Sequence, residues 1–260
     1  MTIRIALLGL GEAGSAIAAD LVAAGADVRG YDPKVSATDG VSDRADEADA
    51  VRDADLVLSA NSSHDAVPAL VNALPGLRPG TIWADLNTAS PQVKEQLAAT
   101  AGRDVPVVDV ALMSPVPGRG LRTPMLVSGD GAARYAEILG GLGASVTVQP
   151  GGPGAAISRK LLRSVFYKGL SAAVVEALAA AEAAGCADWL RGNISGELAA
   201  FDERTIDRLV DGSRRHARRR ADEMAAAVEQ LDALGVPSRV AAAARDQLAE
   251  IRDLSSGATT

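Results

Sequence analysis

The sequence predicts an α/β fold in which a doubly wound, mainly parallel sheet is followed by an all-helical region. Over the first 150 residues, short apolar runs alternate with helical patterns, as they do in parallel α/β sheets. A glycine-rich segment directly follows the first apolar run, and no convincing strand follows Gly154. We therefore expect an α/β domain at residues 1–150 and an all-α domain at residues 151–260, linked by one long interdomain helix.

The first strand, turn and helix carry the most specific motif of the chain. The apolar run from Ile3 to Leu8 predicts a buried strand, and the alanine-rich stretch 15–24 predicts a helix. A second predicted strand, 27–31, ends at Asp32. The segment between the first strand and the helix is Gly9, Leu10, Gly11, Glu12, Ala13 and Gly14. Strand, glycine turn, helix, strand and acid form the Rossmann dinucleotide-binding motif, so we predict that this segment binds a dinucleotide; the alternative is a βα turn without a nucleotide.

The residue types of the motif suit this role. Gly9 permits a tight turn, Gly11 leaves room for a pyrophosphate, and Gly14 lets the helix pack close to the strand. The free N–H groups at the helix N-terminus favour an anion there. Asp32 would accept hydrogen bonds from the ribose and would repel a 2′-phosphate, which favours NAD, whereas Lys34 leaves NADP open.

The remaining elements of the first domain follow the same alternation. The acidic stretch 39–55 predicts a loop and a short helix. A helix is predicted to begin at Ser90, with serine as N-cap and Pro91 in the first turn. Another helix is predicted at 64–74, and strands are predicted at 56–59, 81–85, 105–110, 125–128 and 145–148.

The second half of the sequence is helical in pattern. A helix of about 30 residues is predicted at 155–184 and is ended by Gly185. The segment 216–234 places an apolar stripe opposite a charged face, which is typical of a packed surface helix. The stripe comprises Ala217, Ala221, Met224, Val228 and Leu231. The tail 255–260 is predicted to be disordered.

Composition narrows the classes of function. The net charge of −7 argues against nucleic acid as a partner. Cys186 is the only cysteine, so an intrachain disulfide is impossible and a cytoplasmic setting fits. The two histidines are widely separated, so we expect no zinc site. We also expect no membrane span, because no apolar run reaches about 18 residues, and no signal peptide, because the chain starts with a strand.

Three loops follow predicted strands at the edge where such sheets bind ligands, namely 59–63, 85–91 and 109–124. The third is long and rich in Pro and Gly, which suggests a binding loop. Its Arg119 and Arg122 could bind a substrate carboxylate or phosphate, or they could be solvated surface charges.

The long helix supplies a fourth candidate. Its polar residues recur at helical spacing, which places them near one face: Lys160, Arg163, Ser164, Tyr167 and Lys168. If this face lines a cleft, a desolvated lysine near other cations would have its pKa lowered into a range useful for proton transfer. The alternative is an exposed basic stripe. The basic run 214–220 also allows two interpretations. It forms a solvated helix face or a subunit contact, or one of its residues, His216, Arg219 or Arg220, closes over a substrate anion.

Together these motifs resemble the β-hydroxyacid dehydrogenase family, which includes 3-hydroxyisobutyrate and 6-phosphogluconate dehydrogenases. The resemblance covers nearly the whole chain and is strongest to the branch with a phosphogluconate-dehydrogenase-like C-terminal domain. The segments that carry it are 109–129 and 159–169. It implies a homodimer that uses NAD or NADP on a small-molecule substrate.

The resemblance also implies roles for single residues. Lys160 takes the position of the family's proton donor and acceptor, and Thr88 matches a threonine near the nicotinamide. Ala60 and Asn61 match the loop along the cofactor. The changed positions, which we expect to contact substrate, are Met113 at the place of the family's serine, Ser114 after it, and Arg163 or Ser164 in place of its asparagine.

We therefore expect an NAD(P)-dependent oxidoreductase that transfers hydride at a hydroxyl or carbonyl carbon, with Lys160 as proton relay. The substrate contacts are expected from Met113, Ser114, Arg119, Arg122, Arg163 and Ser164. Two alternatives stay open, an imine reductase and a cofactor-binding regulatory protein without turnover. Related imine reductases generally lack the lysine, which argues against the first of these.

Overall fold

The computed structural model describes residues 2–257. The chain divides into two compact units, residues 1–163 and 164–260, and the division falls inside one long helix. The domain limit expected after residue 150 stays a prediction.

The first unit is built on a twisted sheet that confirms the predicted fold class. The described residues contribute eight strands in the order β3-β2-β1-β4-β5-β6-β7-β8, with the β6–β7 pair antiparallel and the other pairs parallel. The order reverses at β1, which lies between β2 and β4, and this switch point is where such sheets bind ligands. The strands are β1 Arg4–Leu8, β2 Asp27–Tyr31, β3 Val41–Asp43, β4 Leu56–Ser59, β5 Ile82–Asp85, β6 Val107–Leu112, β7 Met125–Ser128 and β8 Val146–Val148.

Helices cover both faces of this sheet. They are α1 Glu12–Ala23, α2 Glu47–Val51, α3 Ala66–Ala73, α4 Pro91–Ala101 and α5 Ala132–Gly141, followed by α6 Ala155–Ala183. Along β1, Ile5 and Leu7 pack on the face covered by α1 and α5, whereas Ala6 and Leu8 pack on the face covered by α2, α3 and α4. A strand buried on both faces reads as a continuous apolar run, which is the pattern that predicted β1.

Several predicted boundaries shift. The helix expected at 15–24 begins at Glu12, because Gly11 is already its N-cap. The acidic stretch expected to hold only a loop and a helix also contains β3, a three-residue edge strand that pairs with β2 and is too short to show alternation. The strand expected at 105–110 lies at 107–112, and the helix expected at 64–74 is Ala66–Ala73 with a 3₁₀ turn after it. The predicted start at Ser90 is confirmed, since its Oγ accepts from the N–H of Val93 and Pro91 is the first helical residue.

The second unit is helical in its described part. Its helices after α6 are α7 Ala187–Ala199, α8 Thr205–Arg215, α9 Ala217–Ala233 and α10 Arg239–Gly257. Gly185 follows α6 with φ +73°, as expected of a helix stop. The predicted stripe of α9 is confirmed, because Ala217 and Ala221 are buried, whereas the charged face is exposed. The predicted disorder at 255–260 is wrong for the part that α10 covers up to Gly257, and residues 258–260 lie outside the described residues.

One helix among the described residues, α6, is long and apolar enough to cross a membrane by length and composition alone. The expectation that no segment reaches this length was based on uninterrupted apolar runs, whereas α6 reaches it with scattered polar residues. Core helices of soluble proteins meet the same criterion.

Candidate functional site

The glycine turn after β1 has the geometry of a phosphate-binding turn. Gly9 has φ +97°, and a Cβ there would lie 2.5 Å from the carbonyl oxygen of Ala60. A Cβ on Gly14 would overlap the carbonyl oxygen of Gly9, so the helix can approach the turn only because that residue is glycine. A Cβ on Gly11 would meet no atom within 4 Å. The open space beside Gly11, at the N-terminus of α1, is the cradle that a pyrophosphate requires.

Asp32 organises this turn in a way that the sequence did not reveal. Its Oδ2 accepts a hydrogen bond from the N–H of Leu10 at 2.8 Å, and its Oδ1 accepts from the N–H groups of Lys34 at 2.8 Å and Val35 at 3.1 Å. The carboxylate therefore ties the end of β2 to the glycine turn. One lone pair of Oδ2 is left over for a ribose hydroxyl, since a carboxylate has about four acceptor positions.

A cavity of about 380 Å³ lies beside the turn. Most of the charged residues among those described as lining it are acidic. Asp32, Glu47 and Asp65 contribute carboxylates, and Lys34 contributes the one cation among the described lining residues. The pKa of Tyr31, at the end of β2, is raised by burial and then by the carboxylates of the neighbouring acidic side chains, of which Glu47 is the largest contributor. Carboxylates therefore outnumber cations among the described residues at this end of the site.

The loop after β4 forms the other wall of this cavity. Ala60 and Asn61 line it, as predicted, and Ala60 is held by the hydrogen bond from its N–H to the carbonyl oxygen of Leu8 at 2.7 Å. The Nδ2 of Asn61 donates to the Oγ of Ser59 at 3.2 Å. The loop is thus fixed to the end of β4 beside the glycine turn.

Two residues predicted to act at the nicotinamide end lie together. The Nζ of Lys160, in the second turn of α6, donates to the Oγ1 of Thr88 at 2.9 Å, although 72 residues separate them in sequence. Thr88 is exposed, and Lys160 is half-buried. Both lie in the first unit, where the loop after β5 and the start of α6 meet.

The predicted substrate residues divide into two sets. The Nη1 of Arg163 points to the carbonyl oxygen of Met113 at 3.5 Å, and the Oγ of Ser114 is buried without a hydrogen-bond partner among the described residues. Arg119 and Arg122 instead lie exposed on a 3₁₀ turn that docks against α1. That docking uses the N–H of Leu121, which donates to Asp20 at 2.8 Å. Ser164 is half-buried and is the first residue of the second unit.

A fully buried ionic cluster behind Thr88 was missed by the sequence analysis. The Nζ of Lys94 lies 2.6 Å from the Oδ2 of Asp85 and 3.2 Å from the Oδ1 of Asp109, and all three side chains have no exposed surface. Asp85 ends β5 and pairs in register with Asp109 of the neighbouring parallel strand β6, and this register brings the two carboxylates close together. No comparable signal marks Lys94, because a lysine in a helix normally faces solvent.

Three further predictions concern metal ligands, Cys186 and the basic run 214–220. Within residues 2–257 no group of three His, Cys, Asp or Glu side chains could hold a metal ion. Cys186 is exposed. In the basic run, His216 and Arg219 are exposed, whereas Arg220 is half-buried and donates to the Oγ of Ser213 at 3.0 Å.

The chain matches known protein families over most of its length. Residues 4–149 match the NAD binding domain of 6-phosphogluconate dehydrogenase, and residues 181–251 match a domain of unknown function, DUF1932. The chain is 28% identical over 191 residues to "Probable 3-hydroxyisobutyrate dehydrogenase" of Mycobacterium tuberculosis. This match covers 70% of the chain and 65% of that relative, slightly less than two thirds of its length.

Solved structures share the fold. A conserved hypothetical protein from Sinorhizobium meliloti is 30% identical, with a TM-score of 0.64 over 96% of this chain and 88% of that one. A reductive aminase from Aspergillus terreus, in complex with NADPH and ethyl levulinate, is 18% identical, with a TM-score of 0.79 over 97% of this chain and 95% of that one. The second likeness shows the fold alone.

Proposed function

Since the chain belongs to the family defined by the NAD binding domain of 6-phosphogluconate dehydrogenase, we propose that it is an NAD-dependent dehydrogenase of a small, anionic, hydroxyacid-like substrate. The observation that carries this proposal is the hydrogen bond of 2.9 Å from Lys160 to Thr88. The contact lies at the carboxyl-end edge of the sheet that also carries the glycine turn, where the Lys160 amine would exchange a proton with the substrate. The similarity to the Mycobacterium tuberculosis relative supports the substrate class.

The residues of the glycine turn fit a dinucleotide. Gly11 and the N-terminus of α1 would hold the pyrophosphate, Asp32 would accept from the adenosine ribose, and Ala60 and Asn61 would line the cofactor. Bound NAD supplies the hydride acceptor for oxidation of an alcohol. The acidic side chains around the cavity, Asp32, Glu47 and Asp65, favour NAD over NADP, and Lys34 is the opposing cation.

Lys160 would move the proton at the substrate oxygen. In the oxidation direction its neutral amine takes the hydroxyl proton, and in the reduction direction its ammonium returns a proton to the carbonyl oxygen. Thr88 accepts a hydrogen bond from Lys160 and so aims the amine. General acid–base catalysis of this kind contributes roughly 10²- to 10⁴-fold to rate.

The groups near Lys160 favour an anionic substrate. Arg163 lies one turn further along α6 and near Met113, so its guanidinium would bind a substrate carboxylate from the same side. The Oγ of Ser114 has no hydrogen-bond partner among the described residues, so its O–H would donate to a substrate oxygen. Arg119, Arg122 and Ser164 are proposed as further substrate contacts.

The test of this proposal compares Lys160→Met with Arg159→Met, which removes the neighbouring exposed cation of the same helix. Turnover of a hydroxyacid panel with NAD should fall about 10²- to 10⁴-fold in Lys160→Met alone. NADH affinity, measured by fluorescence titration, should stay unchanged in both variants. Normal turnover in Lys160→Met would contradict the relay role.

Imine reduction is the second candidate, since a reductive aminase in complex with NADPH shares this fold. A substrate panel of imines and ketoacids separates the two candidates. Tight NADH binding without turnover on either set would instead indicate a regulatory protein.

We further propose that the chain forms a homodimer and acts in the cytoplasm. Large apolar side chains stay exposed on its helices, among them Leu162 at 70%, Val165 at 74% and Ile206 at 71%. Surface of this kind is typical of an interface. A monomer in light scattering at micromolar concentration would contradict the dimer.

A further inference from the structure

We propose that Lys94 is a positioning residue that fixes Thr88 and Lys160 relative to each other through two buried carboxylates. This proposal rests on the function proposed for Lys160. Lys94 does not reach the substrate, because its side chain is fully buried. It acts through the two segments that present Thr88 and Lys160.

The ammonium of Lys94 lies between the last residue of β5, Asp85, and the third residue of β6, Asp109. Its Nζ donates to the carbonyl oxygen of Asp85 at 2.9 Å and to the Oδ2 of Asp85 at 2.6 Å, and it lies 3.2 Å from the Oδ1 of Asp109. Both carboxylates therefore lie within 3.2 Å of one nitrogen, and neither has exposed surface. Two buried carboxylates this close repel each other strongly unless a cation lies between them. Lys94 is thus the group that lets β5 and β6 pair at Asp85 and Asp109 with both acids in place.

Asp109 connects the cluster to Lys160. Its Oδ2 accepts from the N–H groups of Gly154 at 3.1 Å and Ile157 at 2.8 Å, which are donors at the start of α6. The Oγ of Ser128 accepts from the N–H of Ala156 at 3.0 Å. A carboxylate at this end of a helix is also stabilised by the helix dipole. The position and direction of the helix that carries Lys160, three residues after Ile157, therefore depend on where Asp109 is held.

Asp85 connects the cluster to Thr88. Its Oδ1 accepts from the Nδ2 of Asn87 at 2.5 Å, and the same amide group lies 3.3 Å from the Oγ of Ser59. Asn87 is buried, whereas the next residue, Thr88, is exposed toward Lys160. The loop is anchored one residue before the side chain that contacts the proposed proton relay. Lys94 therefore joins the anchor of Thr88 to the anchor of Lys160.

The test uses two variants and one matched control. Lys94→Met removes the ammonium and keeps most of the volume. The double variant Lys94→Met with Asp85→Asn removes one positive and one negative charge, so the net charge of the buried cluster is unchanged, and it serves if the single variant does not fold. The control is Leu97→Ala, which lies three residues further along α4 and is fully buried, but belongs to the apolar core. It weakens the same helix without touching the carboxylates.

We expect kcat to fall about 10- to 100-fold in both Lys94 variants, as is typical when the support of a catalytic group is lost. The Kd of NADH should change less than kcat, because the glycine turn follows β1 and the cluster reaches the cofactor loop one step removed, through Ser59 and Asn61. In hydrogen exchange, amides at the start of α6 should exchange faster in the Lys94 variants than in the wild type. Leu97→Ala should lower the urea midpoint and leave kcat and these amides near wild type.

A Lys94 variant that folds and keeps the kcat of Leu97→Ala would overturn the positioning role. If the wild type turns over no hydroxyacid, the proposed function is wrong, and hydrogen exchange is then the measurement that tests the positioning role of Lys94. In that case, unchanged exchange at Gly154 and Ile157 in the Lys94 variants would overturn this proposal as well.

Discussion

Alanine substitutions at two glycines of the same turn should have different effects on stability and similar effects on binding. Gly9 and Gly11 are two residues apart, and both are expected to face the cofactor. Their surroundings differ, because Gly9 is enclosed by protein and Gly11 faces open space. The pair therefore separates what the turn does for folding from what it does for the dinucleotide.

For Gly11→Ala we expect little change in stability. Gly11 has φ −64° and ψ −168°, which alanine adopts freely, and its Cβ would meet no atom within 4 Å. An alanine N-cap is less favourable than glycine by about 0.5–1 kcal/mol. The lower entropy of the unfolded alanine chain offsets this by about 0.4–1 kcal/mol. The free energy of unfolding should therefore stay within about 1 kcal/mol of the wild type.

For Gly9→Ala we expect a clear loss of stability. The φ of +97° costs an L-residue about 1–2 kcal/mol. The new Cβ would lie 2.5 Å from the oxygen and 2.7 Å from the carbon of the Ala60 carbonyl, so the backbone of that loop has to move. Displacing packed backbone costs about 1–3 kcal/mol more. The two effects together lower the free energy of unfolding by about 2–5 kcal/mol.

Urea unfolding and NADH fluorescence titration on the same samples test this pair. Both variants should bind NADH about 5- to 150-fold more weakly. The methyl group of Gly11→Ala would enter the pyrophosphate cradle and that of Gly9→Ala would displace the loop at Ala60, at a cost of about 1–3 kcal/mol each. Only Gly9→Ala should shift the urea midpoint. Wild-type NADH affinity in Gly11→Ala would refute the pyrophosphate position, and a wild-type midpoint in Gly9→Ala would refute the close approach of the loop after β4.

Further predictions concern the cofactor preference and the helical unit. Asp32→Asn keeps an acceptor for the backbone and loses the negative charge, so the preference for NADH over NADPH in titrations should weaken by about tenfold, roughly the effect of one charge at a partly exposed site; an unchanged ratio would mean that other groups set the preference. Glu176 accepts hydrogen bonds from the N–H groups of Val240 and Ala241, in the first turn of α10, at 2.8 Å each. Glu176→Ala should therefore lower the free energy of unfolding by about 1–3 kcal/mol, and unchanged urea unfolding would mean that these two hydrogen bonds do not stabilise α10. The pKa of Asp202 is lowered by the hydroxyl of Thr205, so the carboxylate stabilises the fold above the ordinary carboxyl pKa and this stabilisation is lost as the pH falls through the lowered pKa. The difference in unfolding free energy between wild type and Asp202→Asn should therefore shrink below about pH 4, and a constant difference would contradict this.

Local features of the sequence determined the elements and the cofactor motif. The apolar runs, the glycine spacing and the Ser90 cap act over a few residues, so β1, the turn and the start of α4 follow from pattern alone. The domain order and the change from strands to helices after Gly154 were equally readable, since they depend on periodicity. The roles assigned to Lys160 and the substrate residues came from resemblance and stay predictions.

Only the tertiary structure decided which side chains meet. Three sets of contacts join segments that are far apart in the chain. They are the hydrogen bond from Lys160 to Thr88, the hydrogen bond from Leu10 to Asp32 and the ionic cluster around Lys94. The edge strand β3 likewise exists because β2 offers it a partner. Periodicity reports whether a residue faces the core, but it does not report the distance between two buried charges. That distance is set by the register of neighbouring strands and by the helices packed on them, so it becomes known only when the whole sheet is assembled.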